Sequence, residues 1–234
     1  MLNKEASDTR RFSLLCWNVH KEMEQERFKR HLSMLLRKFD PQLLLLQEAV
    51  LSSTALHPLF EYHLSSVKNI EFAKYGYGVL SASKFELLCS IPLATTSREF
   101  YCATKKSLLI TAHELGNGNV LHIVNLHAIN FVSHSVFLYE LERLKEHLQQ
   151  IKTPLIVAGD FNTWSKKRHQ HLQSFAASLG LNKANVKDAH HIKHHWNKPL
   201  DHIFYRGVEL LDAVAIDTGK ISDHNPILAK FSRF

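Results

Sequence analysis

Residues 154–168 read PLIVAGDFNTWSKKR, and the reading of this stretch decides the fold. Four apolar residues, Leu155, Ile156, Val157 and Ala158, lead straight into Gly159, Asp160, Phe161 and Asn162. A short apolar run bounded by turn-forming residues is the pattern of a buried strand. An acid and an amide at its end have two readings. They belong to an exposed turn, or a core strand delivers them to a site. The cations that follow, Lys166, Lys167 and Arg168 with His169, fit either.

Working outward, one plan occurs twice. FSLLCWN reads as a strand ending at Asn18. A helical face follows (Phe28, Leu32, Leu35, Leu36, Phe39), Asp40-Pro41 stops it, and LLLLQE is a strand ending at Glu48. VLHIVNLH then ends at His127. Phe137, Leu141, Leu144, Leu148 and Ile151 form a second helical face, Thr153-Pro154 stops it, and LIVAGD ends at Asp160. Strand–helix–strand crossovers are nearly always right-handed and join parallel strands, which end on the same edge. Asn18 is therefore expected near Glu48, and His127 near Asp160.

Shorter strand-like runs lie between the units: YGVLSA, FELLCSI and KSLLITAHEL, the last joined to VLHIVNLH by the hairpin signal GNGN. A helix is expected after Asn162, with Leu172, Phe175, Ala176 and Leu179 inward and Gly180 at its C-cap. LDHIFYR, ELLDAVAI and PILAKFS supply further strands. Mixed strands with a few helices predict two packed sheets with helices outside.

The chain has 234 residues, 45% hydrophobic and 22% charged, and no linker or low-complexity boundary, so a single domain over residues 1–234 is expected. No run approaches the roughly 20 apolar residues of a membrane span. The N-terminal MLNKEASDTRR lacks an apolar signal core, and the odd, uneven cysteines Cys16, Cys89 and Cys102 suggest no disulfide framework, so a cytoplasmic monomer is the expectation. A formal charge of +7 with 17 histidines favours phosphate-bearing partners.

Polar residues end the apolar runs: Asn18, Glu48, His127, Asp160 with Asn162, Asp201, and Asp223 with His224. Each alone has an ordinary explanation as a cap, a turn residue or a satisfied core side chain. Together they form a set of acids, amides and imidazoles with no competing nucleophile elbow, glycine-rich phosphate loop or zinc motif. Oxygen donors suit a hard cation such as Mg²⁺ or Mn²⁺. Beside such a cation, a carboxylate that takes a proton from water, an Asn that orients the water and a His that bonds phosphoryl oxygens make up a phosphoester-hydrolysing set.

CWNVHKE, LLLLQEA, VNLHAINF, VAGDFNTW, PLDHIFYRG and SDHNPILAKF resemble, in order, the six signature blocks of the endonuclease/exonuclease/phosphatase (DNase I-like) superfamily. The wording is most similar to its bacterial YafD-like branch. The resemblance spans residues 16–231 and implies an α+β fold, a four-layer α/β/β/α sandwich of two mixed sheets with the site at one edge. It implies Glu48 as the main Mg²⁺ ligand, Asn18 beside the metal or phosphate, and Asp223 completing the metal site. It implies that Asp160 orients or deprotonates water and that Asn162 holds the water or phosphate. His224, held by Asp201, would contact the scissile phosphate, and His127 would lie beside the phosphate and assist the leaving group. Lys105 and Lys106 match a basic phosphate-contact position, and Lys84 stands where the family often has Arg. Glu71 lies in the region of the acid that pairs with the His127 position in DNase-like members.

Substrate contacts are less determined. Trp164 beside the basic run either stacks on a base or lies half-buried on a solvated helix. The histidines of 188-DAHHIKHHWNK-198 suggest a mobile loop near the site. If His202 faces the cleft, the site gains charge below roughly pH 6.5. The leading expectation is an Mg²⁺-dependent phosphodiesterase, a DNA or RNA endo- or exonuclease. Second stands a phosphatase or a sphingomyelin- or inositol-phosphate-directed enzyme, for which the apolar loop AINFVSHSVF is the candidate membrane contact. A catalytically inactive nucleic-acid-binding protein stands last, because Glu48, Asp160 and His224 are all present.

Overall fold

The computed structural model describes residues 11–72, 75–101 and 104–233, so the N-terminal segment and Cys102 lie outside the described residues. The first half of the chain contains β1 (Arg11–Asn18), α1 (Glu26–Phe39), β2 (Leu43–Val50), the single turn α2 (Ser53–Leu56), β3 (His63–Phe72), β4 (Tyr75–Ser83), β5 (Glu86–Ala94) and β6 (Ser107–Glu114). Next come β7 (Val120–His127), α3 (His134–Leu148), β8 (Leu155–Asp160), α4 (Lys166–Ser178) and β9 (Asn182–Lys183). The chain continues with β10 (His194–His195), β11 (Lys198–Pro199), β12 (Asp201–Arg206), β13 (Glu209–Ala215) and β14 (Ile227–Ser232).

Two mixed six-stranded sheets result, ordered β13-β14-β1-β2-β4-β3 and β5-β6-β7-β8-β12-β9. The parallel pairs are β1 with β2 and β7 with β8, the strands of the two crossover units. Alternation along these strands builds the layers. Leu14, Cys16, Leu43 and Leu45 meet Leu121, Ile123, Ile156, Ala158 and Ile203 between the sheets. The alternate residues Leu15, Trp17, Leu44 and Leu46 bury Phe28, Leu32 and Leu35 of α1. Val124, Leu126, Leu155, Val157 and Phe204 bury Phe137, Leu141 and Leu144 of α3 and Leu172 and Phe175 of α4. Each fully buried Leu or Phe contributes about 1.5–3 kcal/mol through removal from water. The architecture is the expected α/β/β/α sandwich.

Local chemistry sets the boundaries. Asp40 takes a left-handed conformation (φ 43°) after α1 and accepts the stop that Pro41 enforces. Ser133 and Ser165 cap α3 and α4 by accepting from Val136 N (3.3 Å) and Arg168 N (3.2 Å).

Two details aim side chains at one edge. β2 does not stop at Glu48 but continues to Val50 through a bulge, where Gln47 and Glu48 together oppose the gap between Leu80 and Gly78 on β4. Glu48 sits at φ 52° in that bulge, a non-glycine conformation that turns its side chain out of the ladder. At Gly159 (φ 148°), a Cβ would overlap the carbonyl oxygen of Leu126 on the neighbouring strand. Only glycine lets β8 lie so close to β7 while carrying Asp160 opposite His127.

The histidine-rich segment, expected as a loop near the site, contains short regular elements. After a 3₁₀ turn (Ala189–His191), His194–His195 and Lys198–Pro199 pair as a two-stranded ribbon. Trp196 and Asn197 at its tip have φ 46° and 60°, and positive φ at both central residues is what a two-residue type I′ hairpin turn requires. Among the described residues no helix is long and apolar enough to cross a membrane.

Candidate active site

The parallel strand ends bring Asn18, Glu48, His127 and Asp160 to one edge. β12 runs antiparallel to β8 and begins beside its end, with Asp201 opposite Asp160. The loop preceding β14 brings His224. It is tied to β1 by Trp17 Nε1, which donates to His224 O at 2.8 Å, and by Ser222 Oγ, which donates to Asn18 O at 2.9 Å.

Asp160 is the hub, with 3% of its surface exposed. Its Oδ2 accepts from Asn18 Nδ2 at 3.1 Å, and its Oδ1 accepts from Asn162 N at 2.9 Å. His127 Nε2 and His224 Nε2 stand 3.8 and 3.9 Å from Oδ2. His224 Nδ1 and Asp201 Oδ2 are hydrogen-bonded at 2.7 Å. Asn162, at φ 50°, is fixed by donating from Nδ2 to Ala128 O at 2.9 Å. Glu48 Oε1 lies 3.9 Å from His127 Nε2, and Oε2 lies 3.7 Å from Lys21 Nζ.

Burial raises the Asp160 carboxyl to about 6. The charge of Asp201 adds to the rise, while His224 and the donors Asn162 and Asn18 oppose it. Burial alone would discharge His224, but the Asp201 carboxylate, its hydrogen bond, and the charges of Asp160 and Asp223 outweigh it and raise the imidazole to about 9. His127 is held well below the usual imidazole range by burial and by the positive charges of Lys106, His224 and Lys21. The site therefore pairs a neutral imidazole with a protonated one across a single carboxylate.

The donor set fits a hard cation. The Glu48 carboxylate accepts no hydrogen bond among the described residues, is partly open to solvent, and lies with Asp160 within 4 Å of one nitrogen. Asp160, Asp201 and His224 also form a buried group whose ligand atoms lie within 4.8 Å of one another. In that group His224 and Asp201 already bond each other, so the neighbouring Glu48, outside the group, is the better placed carboxylate for a cation.

Several expectations require correction. Asp223 is exposed and pairs with Lys193 at 2.6 Å, and it is not part of the buried Asp160–Asp201–His224 group, although its charge still reaches His224. Lys84 lies at the opposite end of β2, where its N–H bonds Gln42 O and its ammonium pairs with Asp40. Glu71 is exposed and pairs with Lys68 at 2.8 Å, so His127 faces Glu48 and Asp160 instead. Lys105 lines a groove with Thr96, Ser97 and Arg98, whereas the adjacent Lys106 is the one whose charge reaches His127. His202, on the opposite face of β12 from Asp201, is buried against Phe161 and Phe204 and bonded to Thr163 Oγ1 at 2.9 Å. Burial, followed by the charge of Lys183, keeps it neutral, so it adds no charge to the cleft in mild acid.

Arg168 is likewise no surface cation. It is fully buried and donates to the carbonyls of Ile129 (3.2 Å), Asn162 (3.1 Å) and Val132 (2.9 Å) between the rings of Phe137 and Trp164. Residues the sequence reading passed over are Lys21, Ser222 and Glu99. Glu99 is buried, accepts from Asn130 N at 2.7 Å and pairs with Lys106 at 3.7 Å. Nothing in TSREFY marks it, since an acid between strands reads as solvated.

The profile of the Endonuclease/Exonuclease/phosphatase family matches residues 15–224, the span that carries every residue of the cluster. The chain belongs to this family. Family members are generally hydrolases acting on phosphoesters. A UPF0294 protein of Erwinia tasmaniensis is 34% identical over 226 residues, covering 94% of this chain and 81% of the relative, and UPF0294 proteins are the YafD-like branch that the blocks resemble. The fold is similar to that of an endonuclease/exonuclease/phosphatase from Bacteroides vulgatus, with TM-score 0.77, 16% identity, and coverage of 96% of this chain and 99% of that one. It is also similar to D. rerio TDP2 complexed with single-strand DNA product, with TM-score 0.66, 17% identity, and coverage of 95% and 99%.

Proposed function

We propose that this protein is a metal-dependent phosphodiesterase that cleaves nucleic acid. The observation that carries the reading is the surround of Asp160 Oδ2. Asn18 lies at 3.1 Å, and a neutral and a protonated imidazole lie at 3.8 and 3.9 Å. Glu48 and Asn18 would hold Mg²⁺ or Mn²⁺, which supplies charge stabilisation at the phosphate and acidifies water. Asp160, near pKa 6, is suited to orient the attacking water and accept its proton near neutral pH. Asn162 positions the water or phosphate. The His224 imidazolium, kept charged and oriented by Asp201, stabilises charge developing on the phosphoryl oxygens. Neutral His127 is placed to hydrogen-bond the phosphate or the departing oxygen.

Nucleic acid is favoured over lipid by the basic charge of +7 and by the aromatic and amide character of the surface next to Asn162. The experiment is a panel of single-stranded, duplex and abasic DNA, RNA, inositol phosphates and sphingomyelin, each with Mg²⁺ or with EDTA. Hydrolysis of oligonucleotides that stops with EDTA and with Asp160→Asn is expected. Hydrolysis that survives both would overturn the mechanism, and turnover restricted to sphingomyelin or inositol phosphates would assign the lipid or phosphatase reading instead.

A further inference from the structure

Next to the catalytic cluster lies a cleft of about 300 Å³. Its lining includes Asn162, so it opens directly beside the atoms that would hold the phosphate. The other walls include Asn130, Phe131, Trp164, His195 and Trp196. The two indoles stand 5.6 Å apart at 82°, which makes an L-shaped slot rather than a closed core contact.

One wall is rigid. Trp164 Nε1 donates to Asn130 Oδ1 at 2.9 Å, and the Arg168 guanidinium lies 4.7 Å from its ring. The other walls are exposed aromatics held at unusual cost. Phe131 is 57% exposed and Trp196 72%; Phe100, outside the lining, stacks on Phe131 at 4.7 Å and is 59% exposed. All three occupy the left-handed region, with φ of 45°, 46° and 48°. Bulky side chains rarely adopt that backbone, and such strain concentrates at ligand-contacting positions. Water is a poor solvent for these rings, so folding alone does not account for Phe131 and Trp196 presented together at one rim.

The chemistry of the slot points to a planar, hydrogen-bonding ring. Asn130 Oδ1 accepts from both Trp164 Nε1 and the Phe131 N–H, and its amide NH₂ has no acceptor among the described residues. His195 adds an imidazole whose ring lies 4.9 Å from that of Trp196. Positive charge lies behind the slot, since the Arg168 guanidinium stands against the Trp164 ring.

We propose that this cleft is a nucleobase subsite: it takes an unpaired base of single-stranded nucleic acid next to the phosphate held at Asn162 and His224, stacked on Trp196. The inference rests on the phosphodiesterase reading for the position of that phosphate. A base within a duplex has both faces already stacked and cannot enter, so the subsite selects single-stranded or unstacked nucleotides.

The test is the anisotropy of a fluorescein-labelled single-stranded oligonucleotide titrated with full-length protein carrying Asp160→Asn, in Mg²⁺. Adding Trp196→Ala is expected to weaken binding roughly tenfold or more, the loss of one base–aromatic stack. Trp196→Phe should recover most of it, with unchanged urea midpoints reporting an intact fold. An oligomer of equal length built from abasic residues should bind equally with and without Trp196→Ala. The subsite is overturned by equal affinity of the Trp196→Ala protein for the oligonucleotide, or by an equal loss on the abasic oligomer. It is also overturned if sphingomyelin vesicles alone show the Trp196 dependence. Turnover by the unsubstituted protein is read separately. Metal-dependent hydrolysis with Trp196-independent binding removes the subsite and keeps the enzyme. Trp196-dependent binding without hydrolysis keeps the subsite and removes the enzyme.

Discussion

Gln47 Nε2 donates to Asn125 Oδ1 at 2.7 Å, joining the two sheets through the core one residue before Glu48 and two before His127. Both side chains are completely buried. Asn125 Nδ2 in turn donates to Leu80 O at 2.8 Å, and Gln47 Nε2 also reaches Leu45 O at 3.2 Å. A satisfied polar bridge in an apolar core fixes relative position more narrowly than dispersion does, and here it sets the register of one sheet against the other beneath the site. Gln47→Leu leaves the Asn125 amide oxygen buried without its donor, and a loss of about 2–3 kcal/mol in urea unfolding is expected. Gln47→Leu with Asn125→Leu should cost less than the sum of the single changes, and strict additivity in the double-mutant cycle would deny the coupling.

Arg168 illustrates the same economy at the neighbouring loop. Arg168→Met should lower stability by about 2–4 kcal/mol, because the carbonyls of Ile129, Val132 and Asn162 lose their donor in a buried setting. Arg168→Lys should not restore it, since a single ammonium cannot reproduce the guanidinium fork. Urea midpoints of the two variants check this. Wild-type stability in either would show that the guanidinium merely fills space.

His113, on β6 far from the site, supplies a pH signature. Burial first, then the charges of His122 and His63, lowers its pKa to about 4. The folded protein thus binds fewer protons than the unfolded chain below pH 6.5, so stability rises with pH through this window and falls as pH drops from about 6.5 towards 4. The contribution amounts to about 3 kcal/mol across the window. His113→Phe should flatten the pH dependence of the unfolding free energy by that order, whatever its offset at neutral pH. A parallel curve would contradict the assignment.

Metal binding has a readout apart from turnover. At roughly a hundredfold excess over Kd, a ligand specific to the folded state adds about 2.7 kcal/mol. For a chain of this size that corresponds to a rise of roughly 5–10 °C in Tm with Mg²⁺ or Mn²⁺. Glu48→Gln keeps the side-chain shape and removes the charge, and should abolish most of the shift. An undiminished shift would move the cation away from Glu48.

Much of this was legible in the chain. The two strand–helix–strand units were read from apolar spacing and proline stops, and Asn18, Glu48, His127 and Asp160 fell on the expected edge because parallel strands end together. What misled was side-chain direction. Lys84, in the bend between β4 and β5, and Glu71, on the unread strand β3, point to partners on the surface, Asp40 and Lys68. His202 follows Asp201 and takes the opposite face of the same strand. Arg168 belongs to a basic run yet turns inward, since α4 presents that position to the loop carbonyls.

By itself, the sequence determined the layers, the family blocks and the edge that carries the acids, because period-two and helical spacing together with prolines act locally. Tertiary structure decided which polar groups meet. The bulge at Glu48, the close approach at Gly159, the ribbon that lifts Trp196 and the Gln47–Asn125 bridge depend on a neighbouring strand or loop. A one-residue change of register or face carries a side chain from site to solvent, and only packing against that neighbour selects between them.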